Sequence, residues 1–175
     1  ERAYEVGMNF IEIHGTDHFL LDQCFSLKFN NRDDEYGPSK LENRIRLPLE
    51  IIHAVHQRET IKIPMCFQFS IHDKIEDGFG PKDLEKLIKL SEKNGVDLFH
   101  PMPPHILNRL FDKEENLLEW ISKYTKKPLI AEGNIKSPQM LKDISFLKLA
   151  DWYVMEHSIY ARPQWFQFLN RKMIS

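Results

Sequence analysis

The sequence predicts an α/β protein in which parallel strands are joined by helices, and two observations support this prediction. Five short apolar runs have the composition of buried strands, and the segments between them carry apolar residues at helical spacing. Strand and helix patterns alternate along the chain, which is typical of parallel strands with crossover helices. The pattern alone leaves an open doubly wound sheet and a closed barrel as alternatives. The predicted strands are Phe10–Ile13, Ile63–Phe69, Val96–Phe99, Pro128–Ala131 and Trp152–Met155.

The helical segments carry their own start and stop signals. The first predicted helix begins at a capping box, Ser39-Lys40-Leu41-Glu42, and places apolar residues at positions 41, 45, 49, 52 and 55 on one face. Pro48 lies within that pattern, so we expect it to kink the helix. The other predicted helices begin at Pro81 and end at Asn94-Gly95, span about Glu115–Tyr124, begin at Ser137-Pro138, and begin near Pro163.

Length and composition favour one globular domain, residues 1–175, and exclude several functions. Hydrophobic residues make up 42% of the 175 residues, and the formal charge of −2 gives no basic surface for nucleic acid or an anionic membrane. Cys24 and Cys66 lack the paired spacing of a zinc site or a disulfide framework, so we expect no metal. The sequence has no signal peptide and no apolar stretch of ~20 residues, which predicts a cytoplasmic protein.

One segment carries most of the functional signal. Residues 11–22, with the sequence IEIHGTDHFLLD, join a predicted strand to a helix through a polar loop. His14 ends the strand, and Asp17 and His18 follow in the loop, which is where α/β folds keep their chemistry. A histidine at a strand end is structural about as often as it is functional, so the residue types alone leave its role open.

A long gapped motif extends this signal. It consists of Glu12-Ile13-His14-Gly15, Leu20-Leu21-Asp22-Gln23, Asn31-Arg32, Asp34-Glu35-Tyr36-Gly37 and Leu41-Glu42-Asn43-Arg44. These residues resemble the Old Yellow Enzyme family of FMN-dependent ene-reductases. The resemblance implies a (β/α)8 TIM barrel, of which this chain covers about strands 4 to 8. Because the chain begins at Glu1 within a helical pattern, we expect a fragment whose barrel is completed by an N-terminal segment or by a second copy in a homo-oligomer.

The same resemblance implies catalytic residues at the end of the first strand. The family polarises a substrate carbonyl with two hydrogen-bond donors, and His14 matches the first of them. Asp17 occupies the second position, where an ionised carboxylate can only accept hydrogen bonds, and His18 is the neighbour that could substitute for it. The family's tyrosine proton donor falls on Phe19, which has no proton to give.

For the flavin, the resemblance implies a binding site at the ends of three later strands. The family's arginine falls on Gln68, which carries no charge, and its glycines after the seventh strand fall on Gly133 and Asn134. Its Gly-Arg pair after the eighth strand falls on Glu156 and His157, where a carboxylate opposes a phosphate. We therefore expect FMN as the cofactor of an eroded site, with NAD(P)H as the reductant.

These replacements leave two main hypotheses. The first is an FMN-dependent NAD(P)H oxidoreductase that reduces small molecules such as carbonyl-activated alkenes, and the second is a flavin-deficient, non-catalytic or re-purposed member of the same barrel family. An aldolase-like or isomerase barrel would need a lysine at a strand end, and the strands offer only Lys62 at a strand's start. His100 matches no catalytic pattern, and the loop ending in Tyr36 is predicted to be a scaffold.

Overall fold

The computed structural model describes residues 2–58, 63–70, 80–103, 105–107, 109 and 115–164. All five predicted strands are present, and every pair of neighbouring strands is parallel. The strands are β1 (Ile11–Gly15), β2 (Met65–Ser70), β3 (Leu98–Met102), β4 (Ile130–Ala131) and β5 (Trp152–Tyr153).

The strand boundaries differ from the predicted ones at several ends. β1 and β3 continue beyond their predicted ends, to Gly15 and Met102. The prediction followed apolar side chains, whereas the backbone ladder continues through the polar residues His14 and His100. β5 stops at Tyr153 rather than Met155, because its partner strand β4 ends at Ala131, the residue paired with Tyr153.

The strand order resolves the choice between an open sheet and a barrel. β1, β2 and β3 form one sheet in sequential order, and β4 pairs with β5. Phe99 of β3 forms a parallel bridge with Leu129, and its N–H donates to the Pro128 carbonyl at 3.0 Å, which joins the two groups of strands. The order therefore follows the sequence without the reversal of a doubly wound sheet, as in one part of a (β/α) barrel.

The first predicted helix is divided into two in the structure. Helix α1 (Arg2–Glu5) and helix α2 (Leu20–Phe25) precede it, and α3 (Leu41–Arg44) and α4 (Arg46–His56) take its place. The expected kink at Pro48 is a break at Ile45, which leaves Pro48 in the first turn of α4, where its missing N–H needs no partner. The predicted capping box is wrong: Lys40 is the N-cap and makes no side-chain cap bond, so Glu42 pairs instead with Lys86.

The later helices follow their predicted signals, with one exception. They are α5 (Pro81–Lys93), α6 (Leu117–Tyr124), α7 (Pro138–Phe146) and α8 (Glu156–Ala161). Asn116 caps α6 by accepting the Glu119 N–H at 3.1 Å, and Ser137 caps α7. The last helix was expected near Pro163, but α8 ends before this residue, and residues after 164 lie outside the described part. Within the described residues, no helix is long and apolar enough to cross a membrane.

The strands divide the structure into two faces. Alternate side chains from β2 and β3 pack against the helices and form the main core, whose largest fully buried members include Phe67, Phe69, Phe99, Ile45, Ile52, Leu84, Leu87 and Ile88. The opposite side, which we call the interior face, carries a small apolar cluster of Cys66, Leu98 and Ile130. Because side chains alternate along a strand, Glu12, His14, Gln68, His100 and Glu132 lie on this interior face.

Candidate active site

The loop after β1 holds His14 and Asp17 together. His14 Nε2 lies 3.2 Å from the Thr16 hydroxyl oxygen, and that hydroxyl donates to Asp17 Oδ2 at 2.9 Å. The direct distance from His14 Nε2 to Asp17 Oδ2 is 3.7 Å, and the two side chains are 43% and 58% exposed. Asp17 has a φ of 57°, in the left-handed region, and the loop folds back on itself at this point. Two of the predicted catalytic residues are therefore neighbours.

The side chains of His18 and Phe19 contact different residues. The backbone N–H of His18 donates to the buried carboxylate of Asp22 at 2.8 Å, and its ring lies 5.5 Å from the ring of Phe29. Phe19 is exposed, and its ring centroid lies 5.3 Å from that of His14. An apolar ring, rather than a hydroxyl, thus stands beside the predicted catalytic histidine.

Gln68 lies at the centre of a row of polar residues across three strands. In the strand register, Gln68 of β2 is the partner of His14 on one side and of His100 on the other. Gln68 is only 6% exposed, and its Oε1 atom has no hydrogen-bond partner among the described residues. A buried carbonyl oxygen without a partner is costly, so this oxygen is available to a donor from a bound molecule.

Gly133 and Asn134 form the turn after β4. Gly133 has a φ of +129°, and a Cβ added to it would lie 2.7 Å from the backbone nitrogen of Ile106, so no other residue fits. The Ile106 N–H donates to the Gly133 carbonyl at 3.0 Å, which ties the loop after β3 to this turn. Asn134 also has a left-handed φ, of 54°, and is exposed.

Glu156 and His157 are the first two residues of α8, directly after β5 and Val154-Met155. Their backbone thus follows the last strand, as the sequence predicted. The described part of the structure does not extend to these two side chains, so their predicted role in binding a flavin stays a prediction.

The Asp34-Glu35-Tyr36 loop makes the contacts of a scaffold. The Tyr36 hydroxyl donates to Glu50 Oε2 at 3.0 Å, and the Tyr36 carbonyl accepts from the side chain of Asn30 at 2.8 Å. Asp34 accepts the Tyr36 N–H and pairs with Arg32. These bonds fasten the loop to α4 and to the end of α2, in line with the predicted structural role.

The most strongly coupled charges lie deeper on the interior face. His100 is 5% exposed, and its Nδ1 and Nε2 atoms lie 2.8 Å from Glu12 Oε2 and 3.0 Å from Glu132 Oε2. Burial alone would lower the pKa of His100, but the hydrogen bond to Glu12 and the close carboxylate of Glu132 outweigh it and raise the pKa to about 9. Burial likewise disfavours the charge on Glu12, yet the bond to His100 lowers the pKa of Glu12 below its usual value.

Comparison with known proteins places the chain in a family. The profile of the NADH:flavin oxidoreductase / NADH oxidase family matches residues 1–173. The chain belongs to this family. The resemblance to Old Yellow Enzymes found in the sequence motifs is thereby confirmed at the level of the family, whose name specifies a flavin and a nicotinamide reductant.

Curated relatives of this family are similar over nearly the whole chain. An NADH oxidase from Thermoanaerobacter brockii is 30% identical over 173 residues, which cover 94% of this chain and 26% of the relative. An NADPH dehydrogenase from Geobacillus thermodenitrificans is 29% identical over 168 residues, which cover 94% of this chain and 48% of the relative. The chain therefore spans less than half the length of both relatives.

Solved structures of the family share the fold. A mutant morphinone reductase in complex with tetrahydroNAD superimposes with a TM-score of 0.76 at 22% identity, over 97% of this chain and 45% of the other. The old yellow enzyme from Trypanosoma cruzi gives a TM-score of 0.75 at 15% identity, over 97% of this chain and 45% of the other. These matches confirm that the five parallel strands are part of a (β/α) barrel.

Sequence reasoning missed the group formed by Glu12, His100 and Glu132. His100 matches no catalytic motif, and Glu132 has a place in the sequence motifs only as the residue before Gly133. A signal was nevertheless present, since each residue is a polar side chain within or just after a short apolar strand, on the face that alternation turns inward. The residues that carry the family resemblance lie mostly in loops, whereas Glu12 and His100 lie within strands.

Proposed function

We propose that this chain is the part of an FMN-dependent NAD(P)H oxidoreductase barrel that contacts the substrate and one edge of the flavin. The observation that carries the proposal is the row of His14, Gln68 and His100 across three adjacent strands, with the buried Gln68 oxygen lacking a partner among the described residues. The family assignment and the names of the relatives support it.

The described residues fit the polar edge of a flavin ring. Gln68 Oε1 is an acceptor on the interior face, and a flavin ring offers an N–H that such an acceptor could bind. FMN, when bound, would supply hydride transfer between NAD(P)H and an acceptor. The turn at Gly133 and Asn134, together with Glu156 and His157, is proposed to lie near the flavin phosphate, following the family motifs.

His14 is proposed to position the substrate. Its Nε2 atom meets the Thr16 hydroxyl, which in turn donates to Asp17, so Asp17 holds the histidine through Thr16. A substrate carbonyl that displaces Thr16 would accept a hydrogen bond from His14 Nε2–H. Carbonyl-activated alkenes are the substrate class that this arrangement and the resemblance favour. His18, which lies against Asp22, has a lesser role in this proposal.

A second candidate function follows from Phe19. The ring of Phe19 lies beside His14, at the position where the resemblance implies a tyrosine that donates a proton. Together with Glu156 and His157 in place of a Gly-Arg pair, this replacement favours a flavin-deficient or re-purposed member of the family. In that case the barrel would be retained and the ene-reduction lost.

Flavin binding distinguishes the two candidates. We expect the purified full polypeptide to bind FMN, and Gln68→Ala to weaken binding by about three- to tenfold, because one neutral hydrogen bond contributes roughly 0.5–1.5 kcal/mol. Gln139→Ala, on the exposed side of α7, is the matched control and should leave the affinity unchanged. Measurement is by fluorescence quenching of FMN. A protein that binds no FMN would favour the second candidate instead.

We also propose that further strands complete the barrel. β1 pairs with β2, and β5 with β4, and within the described residues neither has a partner on its other side. Open edges of a sheet bind other strands readily, so a longer polypeptide or a second copy is expected to cover them. Light scattering would show a dimer or larger species for the 175-residue chain alone. A monodisperse monomer with both strands protected from hydrogen exchange would contradict this proposal.

A further inference from the structure

Four consecutive strand segments each direct one side chain to the same place on the interior face. These side chains, which we call the interior cluster, are Glu12 of β1, Cys66 of β2, His100 of β3 and Glu132 directly after β4. Glu12 Oε2 lies 2.8 Å from His100 Nδ1 and 3.4 Å from Cys66 Sγ. One atom each from Glu12, Cys66 and His100 therefore converge, and all three lie within 4.8 Å of one another.

We propose that Glu12, Cys66 and His100 bind one divalent transition-metal ion, with zinc favoured by the donor atoms. A thiolate, an imidazole and a carboxylate are all ligands of zinc, and three protein ligands leave its fourth position for water. Bond lengths of about 2.0–2.3 Å in a tetrahedral site imply ligand atoms roughly 3.3–3.7 Å apart. The Glu12–Cys66 distance of 3.4 Å already lies in this range, and rotations of the Cys66 and His100 side chains, whose ligand atoms lie within 4.8 Å, would complete the site.

Glu132 provides a second and independent argument for a metal site. Its Oε2 atom lies 3.0 Å from His100 Nε2, the ring nitrogen on the far side from Glu12. A histidine that binds metal commonly donates its other N–H to a carboxylate, which fixes the ring and makes the ligating nitrogen more basic. The interior cluster thus contains the ligand set and places a carboxylate beside the other ring nitrogen, where it can orient such a histidine.

A cation could enter the cluster by replacing the hydrogen bonds between its side chains. Without metal, the Cys66 thiol donates to Glu12, and the His100 ring is shared between Glu12 and Glu132. A divalent ion would replace the thiol proton of Cys66 and take the lone pair of the His100 nitrogen that now faces Glu12. Cys66 is fully buried and His100 nearly so, which strengthens the attraction between an ion and its ligands.

Cobalt substitution provides a direct test, because thiolate-bound Co²⁺ gives a near-ultraviolet charge-transfer band. The purified full polypeptide would be treated with a chelator, freed of it, and titrated with Co²⁺ and then Zn²⁺, with difference spectra used to remove any flavin absorbance. We expect one Co²⁺ per chain, the thiolate band, and loss of the band when Zn²⁺ displaces the cobalt. Elemental analysis of the untreated protein would give the metal it naturally carries.

The two cysteines provide a matched pair of variants. Cys66→Ser should abolish the thiolate band, whereas Cys24→Ser removes the other cysteine of residues 1–175 and should retain it. Glu132→Gln keeps all three ligands and should weaken metal binding by about 10- to 100-fold without removing the band. If Cys66→Ser does not fold, as judged by circular dichroism, the unmodified protein and Glu132→Gln still decide the question. No stoichiometric uptake of either ion, or equal uptake by Cys66→Ser, would overturn the proposal and leave the cluster as an ion-paired group.

Discussion

The rim loop, residues 14–19, and the interior cluster of Glu12, Cys66, His100 and Glu132 both carry side chains on the interior face but differ in how these side chains are held. In the rim loop, the side chains of His14 and Asp17 are about half exposed and are joined through one hydroxyl. In the interior cluster, His100 is buried and contacts two carboxylates directly. The half-exposed side chains of His14 and Asp17 can exchange partners for a substrate, whereas the buried group is fixed by its own charges.

This difference also explains which region the sequence revealed. A loop that contacts a substrate keeps recognisable residues at fixed spacing, so a short run such as residues 11–22 is sufficient to suggest a family. The interior cluster is assembled from four strand segments that lie far apart in the sequence, and no local pattern connects them. The interior cluster is expected to contribute more than the rim loop to the free energy of unfolding, because its charges are buried. Its sequence signal is weaker, because its residues are scattered along the chain.

The same substitution in the two regions should have very different effects on stability. His100→Leu leaves Glu12 and Glu132 without their shared partner, and removing one member of a buried ion pair costs about 3–5 kcal/mol. His14→Leu changes a half-exposed side chain and should cost about 1 kcal/mol or less. Urea unfolding of the full polypeptide would measure both. Equal losses in the free energy of unfolding would contradict the proposed difference between the two regions.

The pH dependence of stability should come from the interior cluster. In metal-free protein the pKa of His100 is raised to about 9 from an ordinary value of 6.5. A histidine whose pKa is higher in the folded state than in the unfolded state stabilises the fold. This stabilisation is complete at pH values below the pKa of the unfolded state and is lost as the pH rises through about 9. The loss should be on the order of 3 kcal/mol, since one pKa unit corresponds to ~1.4 kcal/mol.

Chelator-treated protein unfolded at a series of pH values would reveal this loss. His100→Gln has no titrating ring, so it should lose less stability than the wild type over the same alkaline range. The buried Cys66 thiol, whose pKa burial also raises, contributes a loss common to both proteins. A wild-type protein that is as stable at pH values above 9 as at neutral pH would show that the two carboxylates do not hold His100 in its charged form.

The smallest effect on stability is expected in the rim loop. Asp17→Asn replaces an exposed carboxylate with an amide that can donate a hydrogen bond to a substrate carbonyl. We expect a change of less than about 0.5 kcal/mol in the free energy of unfolding, together with faster reduction of a carbonyl-activated alkene such as 2-cyclohexenone. Asp143→Asn, on the exposed side of α7, is the control. Slower turnover by Asp17→Asn would instead indicate that the carboxylate is needed to orient His14.

Much of the fold could be predicted from the sequence because apolar runs and helix caps are local signals. Pro81, Ser137 and Asn94-Gly95 mark the ends of α5 and α7 as expected. The capping box at Ser39 was wrong, because the helix begins one residue later and Glu42 finds Lys86, a residue far away in the sequence. Contacts of this kind depend on tertiary packing, which local signals do not encode.

The candidate site also has one part that the sequence could predict and one part that it could not. His14 and Asp17 could be predicted as a pair, since they lie in one loop, and the structure brings them together. The partnership of His100 with Glu12 and Glu132 depends on strand order and register, which the alternation of strands and helices left open. Only the parallel, sequential arrangement of β1 to β4 brings these three side chains to one point.

The most direct test of the proposed function is anaerobic reduction of bound flavin by NADPH or NADH. We predict that the full polypeptide, loaded with FMN and mixed with either nicotinamide in the absence of oxygen, loses the yellow absorbance of oxidised flavin in proportion to the reductant added. An alkene acceptor should then restore the colour, but slowly, because Phe19 has no proton to supply. A protein that binds FMN but is not reduced by either nicotinamide, or that binds no FMN, would contradict the assignment as an NAD(P)H:flavin oxidoreductase.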